Sequence, residues 1–210
     1  PQEIRLIAVS KFFGVDAINE ANSLGVTDFG ENKAQELRDK HEILGDKVAW
    51  HFIGTLQRNK VKYAVKAATY IHSVDSLILA DEINTQALKL NKVQKILLEV
   101  NTSLEDSKSG LIDTAQVFEL AMHCSTLSNI DLMGLMTMAP FTDDEDRIRK
   151  SFSDLRKLKD EINKNGFKLS ELSMGMTNDY EIAIEEGATM LRIGSAIFGQ
   201  RDITKDWRKS

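Results

Sequence analysis

The stretch Leu6-Ile7-Ala8-Val9-Ser10-Lys11 shows the pattern that decides the fold. Four consecutive apolar residues are followed directly by two polar residues, and this pattern recurs along the chain. A short apolar run of this kind is typical of a strand buried on both faces of a parallel sheet. Similar β-rich runs recur at 28–30, 50–54, 70–73, 96–100, 132–138, 168–173 and 190–194. With the first run, at 6–9, they make eight, the number that closes a (β/α)8 TIM barrel.

Amphipathic stretches with helical spacing separate these runs. They pass through Ala80, Ile83, Ala87 and Leu90, through Val117, Leu120, Ala121, Cys124 and Leu127, and through Ile148, Phe152, Leu155, Leu158 and Ile162. Alternating strands and helices predict parallel strands joined by crossover helices, which an open doubly wound sheet also satisfies. The count of eight, and the distinctive polar residues after almost every strand, favour the barrel. Because no linker-like segment divides the 210 residues, we predict one domain over 1–210.

The composition argues against several classes of partner. The net charge is −5 and no long Lys/Arg run occurs, whereas nucleic-acid binding usually needs a basic face. We find no apolar stretch long enough to span a membrane and no signal-peptide pattern. The single cysteine, Cys124, excludes a disulfide framework, fits a cytoplasmic location and falls on an apolar helix face, so it belongs to the core. The first strand begins close to Pro1, so we expect a natural N-terminal segment to be missing or processed.

Lys11 is the first candidate site residue, because active sites of such barrels lie at the carboxyl ends of the strands. A lysine directly after an apolar strand points its amine into the mouth of the barrel. Partial desolvation there lowers the pKa of a lysine and frees its amine to attack carbonyls. The alternative is a rim lysine that stays in water.

The last two strand ends carry small and hydroxyl residues, Ser173-Met174-Gly175 and Gly194-Ser195. Glycines let backbone N–H groups approach a ligand, hydroxyls add donors, and a following helix supplies a positive end. The loops after strands seven and eight are the usual phosphate site of this fold. The alternative is that the glycines serve ordinary tight turns.

Four other residues at strand ends are weaker candidates for contact with a cofactor. Arg192 can only donate hydrogen bonds, so beside a pyridine nitrogen it would hold that nitrogen unprotonated and restrain carbanion chemistry; the alternative is a salt bridge. Asn32 could bond a cofactor ring oxygen or cap a helix starting at Lys33. His51 could be a site residue or a satisfied, half-buried histidine. Met136 could touch a flat ring or simply pack.

Motifs of other chemistries are missing from the sequence. The four histidines form no HxxxH or similar pair that would indicate a metal site. There is no P-loop and no GxGxxG. A metal-independent site built on Lys11 is therefore expected.

Taken in order, the motifs resemble those of one family, the YggS/PROSC pyridoxal phosphate homeostasis proteins. The resemblance is carried by Ala8-Val9-Ser10-Lys11, Asp28-Phe29-Gly30-Glu31-Asn32, Trp50-His51-Phe52-Ile53-Gly54, Leu56-Gln57-Arg58-Asn59-Lys60, Lys108-Ser109-Gly110, Gly134-Leu135-Met136, Leu172-Ser173-Met174-Gly175-Met176-Thr177 and Leu191-Arg192-Ile193-Gly194-Ser195-Ala196-Ile197-Phe198-Gly199. Each motif is weak alone, but the ordered set spans nearly the whole chain and is highly specific.

The resemblance implies an alanine-racemase-like N-terminal barrel that is used alone. It implies that Lys11 forms an imine with the aldehyde of pyridoxal 5'-phosphate (PLP) and that Arg192 faces the pyridine nitrogen. It places Asn32 near the ring. The residues that it assigns to the phosphate-binding loops are Ser173, Gly175, Gly194 and Ser195.

The chain departs from the family pattern in two respects. The run Lys11-Phe12-Phe13-Gly14-Val15 lacks the proline that commonly follows the lysine, which puts the shape of this loop in doubt. Family members also usually begin with an extra N-terminal helix, which is missing from the chain as given.

Three functions fit the predicted site. The first is a monomeric PLP carrier or regulator of intracellular PLP, which passes the cofactor to PLP-dependent apoenzymes. The second is a PLP-dependent amino-acid racemase, which needs a second acid or base on the opposite ring face, in related racemases a tyrosine from a following β-domain. The chain ends at Ser210, and Tyr63, Tyr70 and Tyr180 all precede the closing strand, so we expect no catalytic activity. The third is a lysine-imine aldolase or phosphate-sugar isomerase that needs no cofactor.

Overall fold

The computed structural model describes residues 3–103, 105 and 109–200. Within them eight parallel strands close into a barrel in chain order, each strand pairing with the next and the eighth with the first. The strands are β1 (Arg5–Val9), β2 (Asp28–Glu31), β3 (Ala49–Phe52), β4 (Tyr70–Val74), β5 (Gln94–Glu99), β6 (Ile130–Met136), β7 (Glu171–Ser173) and β8 (Met190–Ile193). The predicted (β/α)8 barrel and all eight strands are confirmed, and the open sheet is excluded.

Helices in the described part of the chain follow the strands. They are α1 (Val15–Ser23), α2 (Ala34–Leu44), α3 (Val61–Ala67), α4 (Leu77–Lys89), α5 (Thr114–Ser125), α6 (Glu145–Lys164), α7 (Tyr180–Glu185) and α8 (Ser195–Phe198). In α6, Ile148, Phe152 and Leu155 are buried at helical spacing, and the side chain of Asp144 caps the first turn by accepting from the N–H of Arg147. The longer helices thus cover the barrel with one apolar face.

The barrel separates the core into two layers, because successive strand residues face opposite sides. Outward residues such as Ala8, Trp50 and Leu98 pack under the helices. An inner cluster of Ile7, Tyr70, Leu97, Met136 and Met190 fills the barrel interior. Because of this alternation, only the polar side chains on the inward-facing strand positions can meet inside the barrel.

The seam between β7 and β8 is the least extensive join of the barrel. These strands align over a single residue pair, Ser173 with Met190, whereas β5 and β6 align along the whole of β5. Beyond that pair the N–H of Met174 donates to the carbonyl of Met190 at 3.2 Å, and the N–H of Arg192 donates to the carbonyl of Gly175 at 2.9 Å. The join therefore continues into the loop that follows β7.

Some details of the sequence-based prediction need correction or fall outside the described residues. Leu90, predicted on the apolar face of a helix, lies just beyond the end of α4 and is 50% exposed. Cys124 is buried in the core, as predicted. Lys108 and the two chain ends, 1–2 and 201–210, lie outside the described residues. Among the described helices, none is both long enough and apolar enough to cross a bilayer.

Candidate functional site

Lys11 lies in the turn that connects β1 to α1, at the carboxyl end of the barrel. In β1, Ile7 faces the interior and Ala8 faces the helices, and the strand ends at Val9, two residues before Lys11. That the amine of Lys11 points into the barrel mouth stays a prediction. The next residue, Phe12, has φ of 72°, which is uncommon for a residue with a side chain. Backbone strain of this kind persists where surrounding contacts fix it, and it clusters at functional sites.

A buried charged cluster anchors this turn from behind. Nζ of Lys40, which is fully buried, donates to the carbonyl of Ser10 at 2.9 Å, to Oε1 of Glu31 at 2.7 Å and to Oε1 of Glu36 at 2.8 Å. Oε1 of Glu36 also accepts from the N–H of Phe12 at 2.9 Å. The strained residue next to Lys11 is therefore held by α2, the helix that carries Glu36 and Lys40.

One member of this cluster has a strongly shifted pKa. Burial raises the pKa of Glu31 to about 7, although the charge of Lys40 acts to lower it. Oγ of Ser10 donates to Oε1 of Glu31 at 2.6 Å, whereas Oε2 of Glu31 is buried without a hydrogen-bond partner among the described residues. The carboxyl behind Lys11 thus sits close to its protonation midpoint at neutral pH.

Arg192 points into the barrel from β8 and is almost completely buried. Its Nη1 donates to Oγ of Ser173 at 2.7 Å, and its Nη2 donates to the carbonyl of Thr137 at 2.8 Å. Burial lowers the pKa of Arg192 to about 10, so the guanidinium stays charged at neutral pH. The structure therefore provides a fixed cation on the strand adjacent to that of Lys11.

The loop after β7 differs from the simple phosphate loop of the sequence-based prediction. Oγ of Ser173 is inside the barrel, where it is hydrogen-bonded to Arg192 and lies 2.9 Å from Nδ1 of His72. The side chain of Met174 packs in the outer core. Gly175 has φ of +93°, and a Cβ there would come within 2.6 Å of Cβ of Ala183 in α7. Contacts of these three loop residues with a cofactor stay predictions.

Two hydroxyl groups do meet at the ends of β7 and β8. Oγ of Ser195 donates to Oγ1 of Thr177 at 3.2 Å, and Ser195 is exposed. A Cβ at Gly194, just before Ser195, would lie 3.5 Å from Cβ of Val9, the last residue of β1. Oδ1 of Asp179 accepts from the N–H of Met176 at 2.5 Å and shapes the loop. Thr177 was not singled out from sequence, although a hydroxyl four residues after Ser173 was a usable signal.

Asn32 lies at the end of β2, the other neighbour of β1 in the barrel. The prediction that it caps a helix starting at Lys33 is wrong, because α2 begins at Ala34 with Lys33 in the cap position. Oδ1 of Asn32 is buried and has no hydrogen-bond partner among the described residues. A buried acceptor of this kind is available to a bound water or ligand. The backbone at Asn32 packs directly against Gly54. A Cβ at Gly54 would come within 2.3 Å of the carbonyl oxygen of Asn32, so only glycine fits there.

His51 and Met136 lie inside the barrel. His51 is fully buried rather than half-buried, with Nε2 lying 2.8 Å from Oδ1 of Asp28 and Nδ1 lying 2.9 Å from Nε2 of His72. Met136 belongs to the inner apolar cluster, level with Ser173 on the next strand. Contact of either residue with a cofactor stays a prediction.

Glu99 is a buried carboxyl that sequence reasoning missed. It ends β5, two residues after the inward-facing Leu97, so it shares the interior side of the barrel with Arg192. Burial raises the pKa of Glu99 to about 7; Asp75 adds to the rise and Arg192 opposes it. Its signal in the sequence was the alternation of β5, which places every second residue inside.

Comparison with known proteins gives consistent matches. Residues 1–202 match the family model of the alanine racemase N-terminal domain. A pyridoxal phosphate homeostasis protein of Aquifex aeolicus is 43% identical over 199 residues, covering 94% of this chain and 87% of that protein. The corresponding protein of Vibrio alginolyticus is 40% identical over 207 residues, covering 96% and 88%.

The solved structures agree with the sequence matches. PipY of Synechococcus elongatus with PLP bound superimposes with a TM-score of 0.88 at 36% identity, covering 95% of this chain and 94% of that chain. An alanine racemase of Clostridium difficile shares only the fold, with a TM-score of 0.82 at 15% identity over 59% of its length. The chain therefore belongs to the family of the YggS/PROSC pyridoxal phosphate homeostasis proteins, which is built on the N-terminal barrel of alanine racemase.

Proposed function

We propose that this chain binds PLP reversibly at the barrel mouth, with the aldehyde held as an imine by Nζ of Lys11. The observation that carries the proposal is the turn at Lys11, where Phe12 is strained and Lys40 anchors the backbone from α2. Such a turn holds the backbone on both sides of one lysine at the carboxyl end of the barrel, where ligands of this fold bind. The relative PipY, which has PLP bound in its structure, supports the assignment.

The residues around Lys11 fit the chemical groups of PLP. The hydroxyls of Thr177 and Ser195, with the N–H groups of their loops, suit a phosphate. Asn32, whose buried Oδ1 has no hydrogen-bond partner among the described residues, suits a polar ring substituent. These residues follow β2, β7 and β8, and β2 and β8 are the two neighbours of β1 in the barrel.

Arg192 favours holding the cofactor over transforming amino acids with it. A bound PLP supplies an electron sink whose strength depends on protonation of its pyridine nitrogen. Arg192 can only donate, and its charge persists at neutral pH, so it keeps a neighbouring ring nitrogen unprotonated. We therefore assign the chain to PLP homeostasis, the role named for its relatives, with PLP-dependent apoenzymes as recipients. A cytoplasmic location and a monomeric state stay predictions, and sedimentation checks the second.

Glu99 favours a second candidate function, a PLP-dependent amino-acid racemase. A carboxyl with a pKa of about 7 can both give and take a proton at neutral pH. If Glu99 serves as the second acid–base group, the wild type interconverts D- and L-alanine in the presence of PLP, and Glu99→Gln does not. No interconversion by the wild type would leave the carrier function as the remaining one of the two.

The absorption spectrum with added PLP tests the proposal directly. We expect a visible band with the wild type and with Lys33→Ala, a neighbouring lysine at the mouth, but not with Lys11→Ala. Borohydride reduction should then fix the label on Lys11 alone. A band that survives in Lys11→Ala, or label spread over surface lysines, would contradict the imine. No band at all would favour a cofactor-independent aldolase or isomerase.

A further inference from the structure

Five buried or partly buried side chains form a continuous hydrogen-bonded chain through the barrel. Arg192 Nη1 is 2.7 Å from Ser173 Oγ, which is 2.9 Å from Nδ1 of His72. Nε2 of His72 is 2.9 Å from Nδ1 of His51, whose Nε2 is 2.8 Å from Oδ1 of Asp28. Asp28 opens β2 at the amino end of the barrel, whereas Arg192 lies toward the carboxyl end. These hydrogen bonds thus run through the barrel interior from its amino end toward its carboxyl end.

With both imidazoles neutral, as their burial favours, the donors along this set of hydrogen bonds can run in only one direction. A guanidinium has no acceptor, so Arg192 must donate to Ser173. Ser173 has one hydroxyl hydrogen, which is then available for Nδ1 of His72. His72 in turn donates from Nε2 to His51, and His51 donates from Nε2 to the carboxylate of Asp28. Both neutral imidazoles therefore carry their hydrogen on Nε2.

The surroundings of the two imidazoles support the neutral forms. Burial lowers the pKa of His51 and outweighs the hydrogen bond with Asp28, which acts to raise it. Burial lowers the pKa of His72 well below its ordinary value, and the nearby charge of Arg192 adds to this effect. Tyr70 stacks on His51 at 5.1 Å between ring centroids, which confines the ring. The 2.9 Å separation of the facing nitrogens of His51 and His72 leaves no room for a metal ion between them.

Asp28 is held as the anionic end of the chain. Burial acts to raise its pKa, but the hydrogen bonds from His51 and Thr27 outweigh that effect and lower it. Thr27 Oγ1 donates to Oδ2 of Asp28 at 2.7 Å, and Nε of Arg5 lies 3.6 Å from Oδ1. A carboxylate accepts but does not donate, so Asp28 fixes the hydrogen of His51 on Nε2.

We propose that His72 is a positioning residue for Arg192, acting through Ser173, with its tautomer fixed by His51 and Asp28. His72 directs the hydroxyl hydrogen of Ser173 away from Arg192, so that an oxygen lone pair faces the guanidinium. Without this acceptor the hydroxyl hydrogen of Ser173 loses its partner, so the hydroxyl can rotate and no longer holds one lone pair toward Arg192. The consequence for PLP rests on the proposed function, but the tautomers and the fixing of Arg192 do not.

The first experiment uses the protein without PLP. In histidine labelled with 15N, the wild type should show His51 and His72 neutral and protonated on Nε2 at neutral pH. The guanidinium hydrogens of Arg192 should exchange slowly with water in the wild type and at least about tenfold faster in His72→Leu. His72→Gln should retain slow exchange, because its amide oxygen can accept from Ser173 and its amide nitrogen can donate to His51.

Two further variants keep the test decisive. Met133→Leu changes the same interior cluster with little change in volume and should leave the exchange of Arg192 unchanged. Should His72→Leu fail to fold, Asp28→Ala alters only the partly exposed end of the chain, and both imidazoles should then populate both tautomers. A charged or Nδ1-protonated His72 in the wild type, or unchanged exchange of Arg192 in folded His72→Leu, would overturn the proposal.

PLP binding gives the functional readout. We expect about tenfold weaker binding for His72→Leu and wild-type binding for Met133→Leu. Equal binding by wild type and His72→Leu would overturn the positioning role. If the wild type binds no PLP, the proposed function fails, while the tautomers and the exchange of Arg192 still decide whether His72 positions the guanidinium.

Discussion

Replacing Lys40 with methionine should destabilise the protein in a pH-dependent way, because Lys40 is the cation between two buried carboxyl groups. All three Nζ hydrogens of Lys40 are used, toward Ser10, Glu31 and Glu36. Methionine has a similar length but no charge, so Lys40→Met leaves Glu31 and Glu36 in the core without their cation. Breaking a buried pair by removing one partner costs about 3–5 kcal/mol. For a protein of this size that lowers Tm by about 6–20 °C at pH 8.

The pKa of Glu31 gives the sign of the pH dependence. Burial raises this pKa from its ordinary value of 4.5 to about 7, so between these values the folded state binds more protons than the unfolded state. The contribution of Glu31 to the free energy of unfolding therefore falls as pH rises through that window. At pH 5.5 Glu31 is protonated, so Lys40→Met no longer leaves the Glu31 carboxylate without its cation, and the substitution should cost less than at pH 8.

Urea unfolding at pH 5.5 and pH 8 measures both costs. Lys92→Met is the matched control, because Nζ of Lys92 donates to the carbonyls of Val65 and Ala68 at 2.8 and 2.7 Å rather than to carboxylates. Its cost should not grow with pH. The reasoning is refuted if Lys40→Met costs the same at both pH values, or less than about 1 kcal/mol at pH 8.

Three other substitutions or reagents test single features of the structure. Gly25 and Gly175 both have positive φ, but only Gly175 lacks space for a Cβ, so Gly175→Ala should cost about 1–3 kcal/mol more than Gly25→Ala in urea unfolding; equal costs would argue against tight packing on α7. Burial raises the pKa of Cys124 to about 12, so an aromatic disulfide reagent at pH 8 should modify it only in urea, and rapid reaction of the native protein would contradict its burial. Phe12→Gly should be more stable than Phe12→Ala by about 1 kcal/mol, because glycine adopts φ of 72° without strain, and the opposite order in thermal unfolding would be evidence against strain at this turn.

The barrel could be predicted from sequence because each strand is buried on both faces, which makes its apolar run continuous and easy to count. The start of β7 was harder to predict from sequence. Residues 168–170 were predicted as strand, but the side chain of Asn163 bonds both the N–H and the carbonyl of Leu169, at 2.7 and 2.9 Å. That side chain, at the end of α6, ties the segment to the helix and delays the strand until Glu171.

The site was predictable where it depends on a single strand end and not where it depends on several strands. Lys11 and Arg192 follow from their own positions at the carboxyl ends of strands. The hydrogen bond between His72 and Ser173 joins residues 101 positions apart. It depends on the register of the closed barrel, which the sequence does not reveal. Asn32 illustrates a smaller error, since α2 starts one residue later than predicted and the side chain of Asn32 does not cap the helix.

The short seam between β7 and β8 is the place where we expect local opening of the barrel to begin. Local opening starts where the fewest interactions must be lost at once, and here that is the line along which Ser173 meets Met190. The loops carrying Thr177 and Ser195 leave from the two sides of the same line. An anion that contacts both loops would stabilise the closed form of the seam. Binding of the anion and local opening of the barrel would then be thermodynamically linked. Amide protection along β7 and β8 would then report occupancy before any change in global stability.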